Sequence, residues 1–257
     1  MDHSSNLLLE LFLMFAGGKV LAEIFERLRQ PAVVGELLAG VVLGPSLLAL
    51  VHPGELTKGL AEIGAIFLLF TVGLEMKPRD LMQVGGVATL VATLGVVVPL
   101  VLGVVYMRAV DHTMIESIFV GAAMVATSVG ITARVLADAG VLSTRLARVI
   151  LGAAVLDDIL GMIVLAVVSS LSTGEVKYLQ LAVVTAEAVG FSVFMVMFGS
   201  RVVRRMRPRV EKLRARNSAF ILSVILCLGL SLASVHIGMA AIIGAFLAGL
   251  ALADHSE

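Results

Sequence analysis

Asp157 and Asp158 are adjacent in the stretch Ala154–Gly161, AVLDDILG, inside an apolar run from Leu146 to Leu171. An ionised carboxylate at the centre of a membrane helix costs about 2.5–3.5 kcal/mol. Adjacent helix positions point about 100° apart, so both side chains must look toward protein or a water-filled space. Two readings compete: a pair neutralised by a buried base or held protonated, and a site for protons and monovalent cations. No basic residue other than Lys19 sits at comparable depth in an apolar run, which favours the second. Carboxylate oxygens are hard ligands suited to Na+ or Li+. Two like charges this close couple their protonation, which lets protons compete with cations near neutral pH.

The elements around the pair must be membrane helices. Hydrophobic residues make up 59% of the 257, charged residues 15%, and the mean hydropathy is +1.06. A soluble domain is nearer half apolar and a quarter charged. Nine spans are expected: Leu7–Phe25, Pro31–Val51, Gly59–Met76, Val84–Tyr106, Met114–Ala137, Leu146–Leu171, Leu179–Ser200, Asn217–His236 and Met239–Ala253. Alternation with period two is absent, which disfavours a β-barrel. The fold class is an all-α polytopic membrane protein in a single membrane domain. The opening Met1-Asp2-His3-Ser4 has no basic region, so the first run reads as a retained helix. Cys227 is the single cysteine and has no disulfide partner within the chain.

Charge sets the expected orientation. The connection Arg201–Arg216, RVVRRMRPRVEKLRAR, carries eight Lys or Arg and reads as a cytoplasmic loop; a nucleic-acid or specific lipid site is the minority alternative. Helix parity then places fifteen basic residues inside and three outside, Lys58, Arg108 and Lys177. The N-terminus is expected outside and the C-terminus in the cytoplasm, in a multi-pass protein of the cell (inner) membrane with the bilayer, and no nucleic acid, as its partner.

The middle of the fifth span reads Ala126–Ala133, ATSVGITA. Thr127, Ser128, Gly130 and Thr132 are good material for a break near 127–132. An unwound helix would expose carbonyls and half-helix dipole ends that compensate ions at the midplane. Ordinary packing through small residues, with hydroxyls bonding their own backbone, fits the spacing equally. Glu36 and Arg134 fall at the cytoplasmic rim, as a local ion pair or as a funnel that guides cations. Lys19 and Glu23 are four apart and share a helix face. Glu187 lies inside the seventh span, where Ser192 or the hydroxyls of the eighth span are possible partners. The five histidines fall at helix ends or loops and build no metal cluster on spacing. No Walker loop, dinucleotide fingerprint or nucleophile elbow occurs, so ATP-driven pumping, hydrolysis and an enzymatic role are disfavoured and no cofactor is expected.

Gly35–Leu43, GELLAGVVL, matches Gly244–Leu252, GAFLAGLAL, at five positions. Parity gives the two segments opposite directions across the membrane, as in the inverted-topology repeats of secondary transporters. The first five-helix repeat is expected over 31–171, with 7–25 a scaffold or dimer helix, 179–236 linking helices, and 239–253 the first helix of an incomplete second repeat.

ATSVGITARVL (Ala126–Leu136) followed by GAAVLDDILG (Gly152–Gly161), with QPAVVGELLAGVVLGP (Gln30–Pro45) and FLLFTVGLEM (Phe67–Met76), resembles the monovalent cation:proton antiporter superfamily. The paired aspartates are similar to its electrogenic two-aspartate Na+/H+ branch, the NapA type. The resemblance implies an NhaA/NapA-like inverted-repeat fold of thirteen helices, only the first repeat of which is complete here. It implies Asp158 as the main cation-binding carboxylate, Asp157 as its neighbour, and Thr127 at the unwound crossing. It further implies a homodimer whose core moves as an elevator, and helices beyond Glu257 bearing a lysine and a second broken helix. The function expected is exchange of Na+ or Li+ for protons by alternating access. The alternatives are a potassium/proton antiporter or potassium efflux protein of the same superfamily, or a non-transporting membrane fragment or sensor.

The charge asymmetry has a direct test. A single cysteine placed in Arg201–Arg216, in a Cys227→Ala background, is expected to react with an impermeant maleimide only from the cytoplasmic face. Labelling from outside would invert the assigned topology.

Overall fold

The computed structural model describes residues 3–173, 182–183, 186–187, 189–191, 193–194 and 218–253. Every regular element among them is helical. They fall into two compact units, Met1–Gly64 with Arg134–Val141, and Ala65–Ala133 with Leu142–Glu257.

The first unit is built on a hairpin of α1 (His3–Arg27) and α2 (Ala32–Leu43). Its turn closes with Arg29 in the left-handed region, φ 59°. The Gln30 N–H bonds the Phe25 carbonyl at 2.9 Å and the Arg29 N–H bonds the Glu26 carbonyl at 2.9 Å, a Schellman closure. Pro31 follows at φ −58°, where a missing N–H costs nothing. Gly35 lets α2 lie directly on α1, because a Cβ there would run into the Leu21 carbonyl.

The second unit contains the C-terminal part of α3 (Glu55–Leu74), then α4 (Pro78–Gln83), α5 (Gly85–Ala109), α6 (Met114–Ala123), α8 (Arg145–Thr173), α9 (Ser218–His236) and α10 (Ala241–Ala253). The short α7 (Val129–Asp138) contributes residues to both units. A capping box starts α6: Thr113 accepts from the Glu116 N–H at 3.3 Å and Glu116 accepts from the Thr113 N–H at 3.0 Å. On α5, Ala88 and Ala92 form a small-residue stripe that receives Ala153 of α8, flanked by Leu156 and Leu160.

The core helix is α10, buried over nearly all its length, as expected of a helix apolar on every face. It crosses α3 at two glycines. A Cβ on Gly73 would meet the Phe246 carbonyl, and a Cβ on Gly249 would meet the Phe70 carbonyl. The two backbones therefore touch. Phe70, Cys227, Ala245 and Ala248 pack around the crossing.

The hairpin of α9 and α10 repeats the local geometry of the first. Gly238 takes the left-handed position, φ 88°. The Met239 N–H bonds the Ser234 carbonyl at 3.0 Å and the Gly238 N–H bonds the Val235 carbonyl at 3.0 Å. Gly244 meets the Leu230 carbonyl as Gly35 meets that of Leu21, at the same residue spacing. The likeness seen in Gly35–Leu43 and Gly244–Leu252 thus takes in the preceding helices, α1 and α9, as well.

Several expected spans change length. Pro31–Val51 is helical only to Leu43, where Gly44 turns extended and its N–H bonds Gly40. Among the described residues, three helices, Glu55–Leu74, Gly85–Ala109 and Arg145–Val168, are long and apolar enough to cross a membrane, and the other apolar helices found there are shorter. On α1, Glu23 takes the Arg27 guanidinium at 2.9 Å. Most of Leu179–Ser200 and all of the basic Arg201–Arg216 connection lie outside the described residues.

The close crossings predict an asymmetry between glycines of one hairpin. Gly244→Val forces a side chain into the Leu230 carbonyl and is expected to destabilise by about 1–3 kcal/mol. Gly229→Ala, with nothing within 4 Å, is expected to be neutral or slightly stabilising. Thermal unfolding of the two variants in detergent checks this, and equal effects would contradict the packing.

Candidate functional site

The fifth expected span is two helices. α6 ends at Ala123, Met124 and Val125 make a last turn through Met124 N–H to Val120 and Val125 N–H to Ala122, and α7 begins at Val129. The interruption runs over residues 124–128. Thr127 and Ser128 lie inside it. Gly130 and Thr132, expected within the unwound stretch, sit in the first turn of α7.

The hydroxyls organise this junction. Ser128 caps α7: its side chain accepts from the Ile131 N–H at 3.4 Å, and its carbonyl accepts from the Thr132 N–H at 3.4 Å and the Thr132 hydroxyl at 3.1 Å. Thr127 donates to the Val125 carbonyl at 3.0 Å.

α8 runs unbroken past the interruption and carries both aspartates. Asp157 lies beside the Thr127 hydroxyl on the same cleft. It also faces Gly95 of α5, where an added Cβ would lie 4.0 Å from its Oδ1. Asp158 points elsewhere, toward the Ala240 N–H in the turn before α10. Its Oδ2 is buried and has no hydrogen-bond partner among the described residues. Both carboxylates line one cleft of about 380 Å³ with Ala126, Thr127, Gly161 and Met162.

Toward the N-terminal end of α8 the packing is dry. Leu151, Val155, Leu69, Val129, Ile242 and Phe246 close around a void of about 10 Å³, about the size of one water and lined without polar groups. The carboxylates sit where apolar packing gives way to the cleft.

The chemistry available is that of oxygen ligands. A threonine hydroxyl has one proton and two lone pairs. The single Thr127 proton can serve the Val125 carbonyl or Asp157, and the lone pairs are open to a shared cation. The free Oδ2 of Asp158 adds a second hard donor.

Glu36 and Arg134 pair at 3.4 Å, and the same guanidinium reaches Asp138 at 3.2 Å. The Glu36 and Arg134 side chains are 41% and 39% exposed, so the pair contributes about 0–1 kcal/mol. Glu36 also lines a cavity of about 610 Å³ with Lys19 and Thr57. Glu187 is exposed, and one eighth-span hydroxyl considered for it, that of Ser234, instead donates to the Ala240 carbonyl at 3.1 Å. Ala240 and Gly95 carry no signal in the sequence, because one faces Asp158 through its backbone and the other has no side chain. Asp138 is signalled only by its i,i+4 spacing from Arg134.

The chain matches the family described as "Sodium/hydrogen exchanger, transmembrane" over residues 11–257. It is 35% identical to the high-affinity Na(+)/H(+) antiporter NhaS3 of Synechocystis, over 97% of this chain and 62% of that protein. It is 36% identical to a Na(+)/H(+) antiporter of Enterococcus hirae, over 91% and 61%. It is 33% identical to the Na(+)/H(+)-K(+) antiporter GerN of Bacillus cereus, over 95% and 63%. The chain thus spans about three-fifths of the length of these relatives.

The cap at the interruption carries its own prediction. Ser128→Ala is expected to cost the first turn of α7 about 1 kcal/mol. Amide exchange at Ile131 and Thr132 should quicken about fivefold, and Ser128→Asn should restore protection. Unchanged exchange in Ser128→Ala would show that the hydroxyl does not hold the turn.

Proposed function

The chain belongs to the sodium/hydrogen exchanger family, and from that premise we propose that it carries the cation and proton site of a secondary antiporter, with Asp157 and Asp158 as the exchanging carboxylates. The observation that carries this reading is their convergence: both line one cleft beside Thr127, at the interruption between α6 and α7. Na+ or Li+ binds at Asp158, whose buried Oδ2 is unengaged by other described residues, and displaces protons from the pair. Asp157 and the Thr127 hydroxyl complete the oxygen shell. The interruption supplies carbonyls and helix ends that an intact α6–α7 helix would keep in its own hydrogen bonds.

The wider reading keeps the expectations drawn from the resemblance. The protein works in the cell membrane by alternating access, as a homodimer, with the N-terminus outside. Glu36 and Arg134 shape the cytoplasmic approach. Potassium is the second cation to consider, because the Bacillus cereus relative carries K(+) in its name.

In the full-length protein reconstituted in liposomes, Asp158→Asn is expected to abolish Na+-driven proton movement, a loss of at least a hundredfold given the charge removed from a desolvated site. Asp157→Asn is expected to be milder, or to turn a charge-moving cycle into an electroneutral one. Proton flux under an imposed membrane potential reads both. Wild-type exchange by Asp158→Asn would remove Asp158 from the site.

A further inference from the structure

The two helical hairpins share one turn but differ in the residues that fill it. In the first, the positions that matter are Ala22, Phe25 and Pro31; in the second, the corresponding positions are Ser231, Ser234 and Ala240. The backbone bonds are the same: Val34 N–H to the Pro31 carbonyl at 3.1 Å, and Ile243 N–H to the Ala240 carbonyl at 3.1 Å. The first turn thus places a residue with no N–H where the second places the N–H that reaches Asp158.

Ser234 is fully buried, and a buried hydroxyl needs a partner. It finds one in the Ala240 carbonyl at 3.1 Å. The Ser234 carbonyl also accepts from Met239 at 3.0 Å and from Ile237 at 3.1 Å. One residue therefore binds the turn on both sides of Gly238 and holds the residue whose amide faces the carboxylate. The two segments are neighbours: Val155, one turn before Asp158, lies with Ile242 and Ile243, just after Ala240, around the same small void.

The geometry points to Ser234 as a positioning residue for the ion site: its hydroxyl holds the Ala240 residue so that the Ala240 N–H engages one oxygen of Asp158 and the other, Oδ2, is presented to the cation. This rests on the reading of Asp158 as the cation ligand. Ser234 touches neither cation nor carboxylate. It acts through the backbone of Ala240, which is why no spacing of polar residues in the sequence betrays it.

The test uses two readouts on the full-length protein. The first is amide exchange in the turn, which reports the hydrogen bonds whether or not Asp158 binds an ion. The second is Na+-driven proton movement in liposomes at fixed pH. Ser234→Ala is expected to quicken exchange at Met239 and Ala240 and to raise the apparent KM for Na+ roughly tenfold, the effect of one charge-assisted hydrogen bond, with kcat within about twofold. Ser234→Thr keeps a hydroxyl and should recover most of the difference. Ala240→Pro removes the N–H, and Pro31 shows that the turn accepts proline; it should raise KM by as much as Ser234→Ala, and combining the two should add little.

Unchanged amide exchange in Ser234→Ala overturns the proposal outright. So does an Ala240→Pro protein that unfolds at the wild-type temperature and keeps the wild-type KM. Equal losses of kcat in Ser234→Ala and Ser234→Thr with KM unmoved would reduce Ser234 to ordinary packing, which also overturns it. If the turn loosens while KM stays put, the role at the ion site is refuted, and Asp158→Asn alongside separates the causes: normal exchange there places the failure in the assignment of Asp158.

Discussion

A carboxylate inside an apolar helix must be solvated by the protein, because lipid and aliphatic side chains offer it nothing. That constraint falls twice on α8, at Asp157 and Asp158. Being adjacent, the two side chains leave the helix in different directions and need different hosts. Asp157 meets the interruption between α6 and α7 through Thr127. Asp158 meets the turn before α10 through Ala240. Much of the architecture exists to bring two stretches of non-helical backbone to one point on a continuous helix.

Small residues make that convergence possible. Ala88, Ala92 and Ala153 bring α5 onto α8. Gly73 and Gly249 let α3 and α10 cross backbone to backbone. Between helices in a membrane, close approach of this kind replaces the hydrophobic effect as the source of cohesion. The result is apolar packing on one side of the carboxylates, where Leu151 and Val155 lie, and the cleft that holds Thr127 on the other.

The sequence displayed the helical class, most span positions and the aspartate pair, because apolar runs and misplaced charges are visible one residue at a time. Thr127, Ser128, Gly130 and Thr132 also mark the fifth span as weak and point to a break near 127–132, which overlaps the interruption only at its start. The interruption falls over 124–128 because Ser128 acts as a cap and keeps Gly130 and Thr132 inside α7. Hydroxyls read equally as cap or as unwinder until the backbone chooses. The expected Pro31–Val51 span is too long for a related reason: apolar character persists to Val51, but the helix stops at Gly44. The hosts of Asp158 were illegible. A backbone N–H has no letter in the sequence, and a buried serine in an apolar helix looks like filler.

The account stands on cations and protons sharing the same carboxylates. Its most direct measurement is proton release: Na+ titrated into lightly buffered, detergent-solubilised full-length protein while solution pH and bound cation are recorded together. The account predicts that each cation bound expels about one to two protons, and that release falls away at a pH where the pair is already ionised. Cation binding with no proton released at any pH would contradict it.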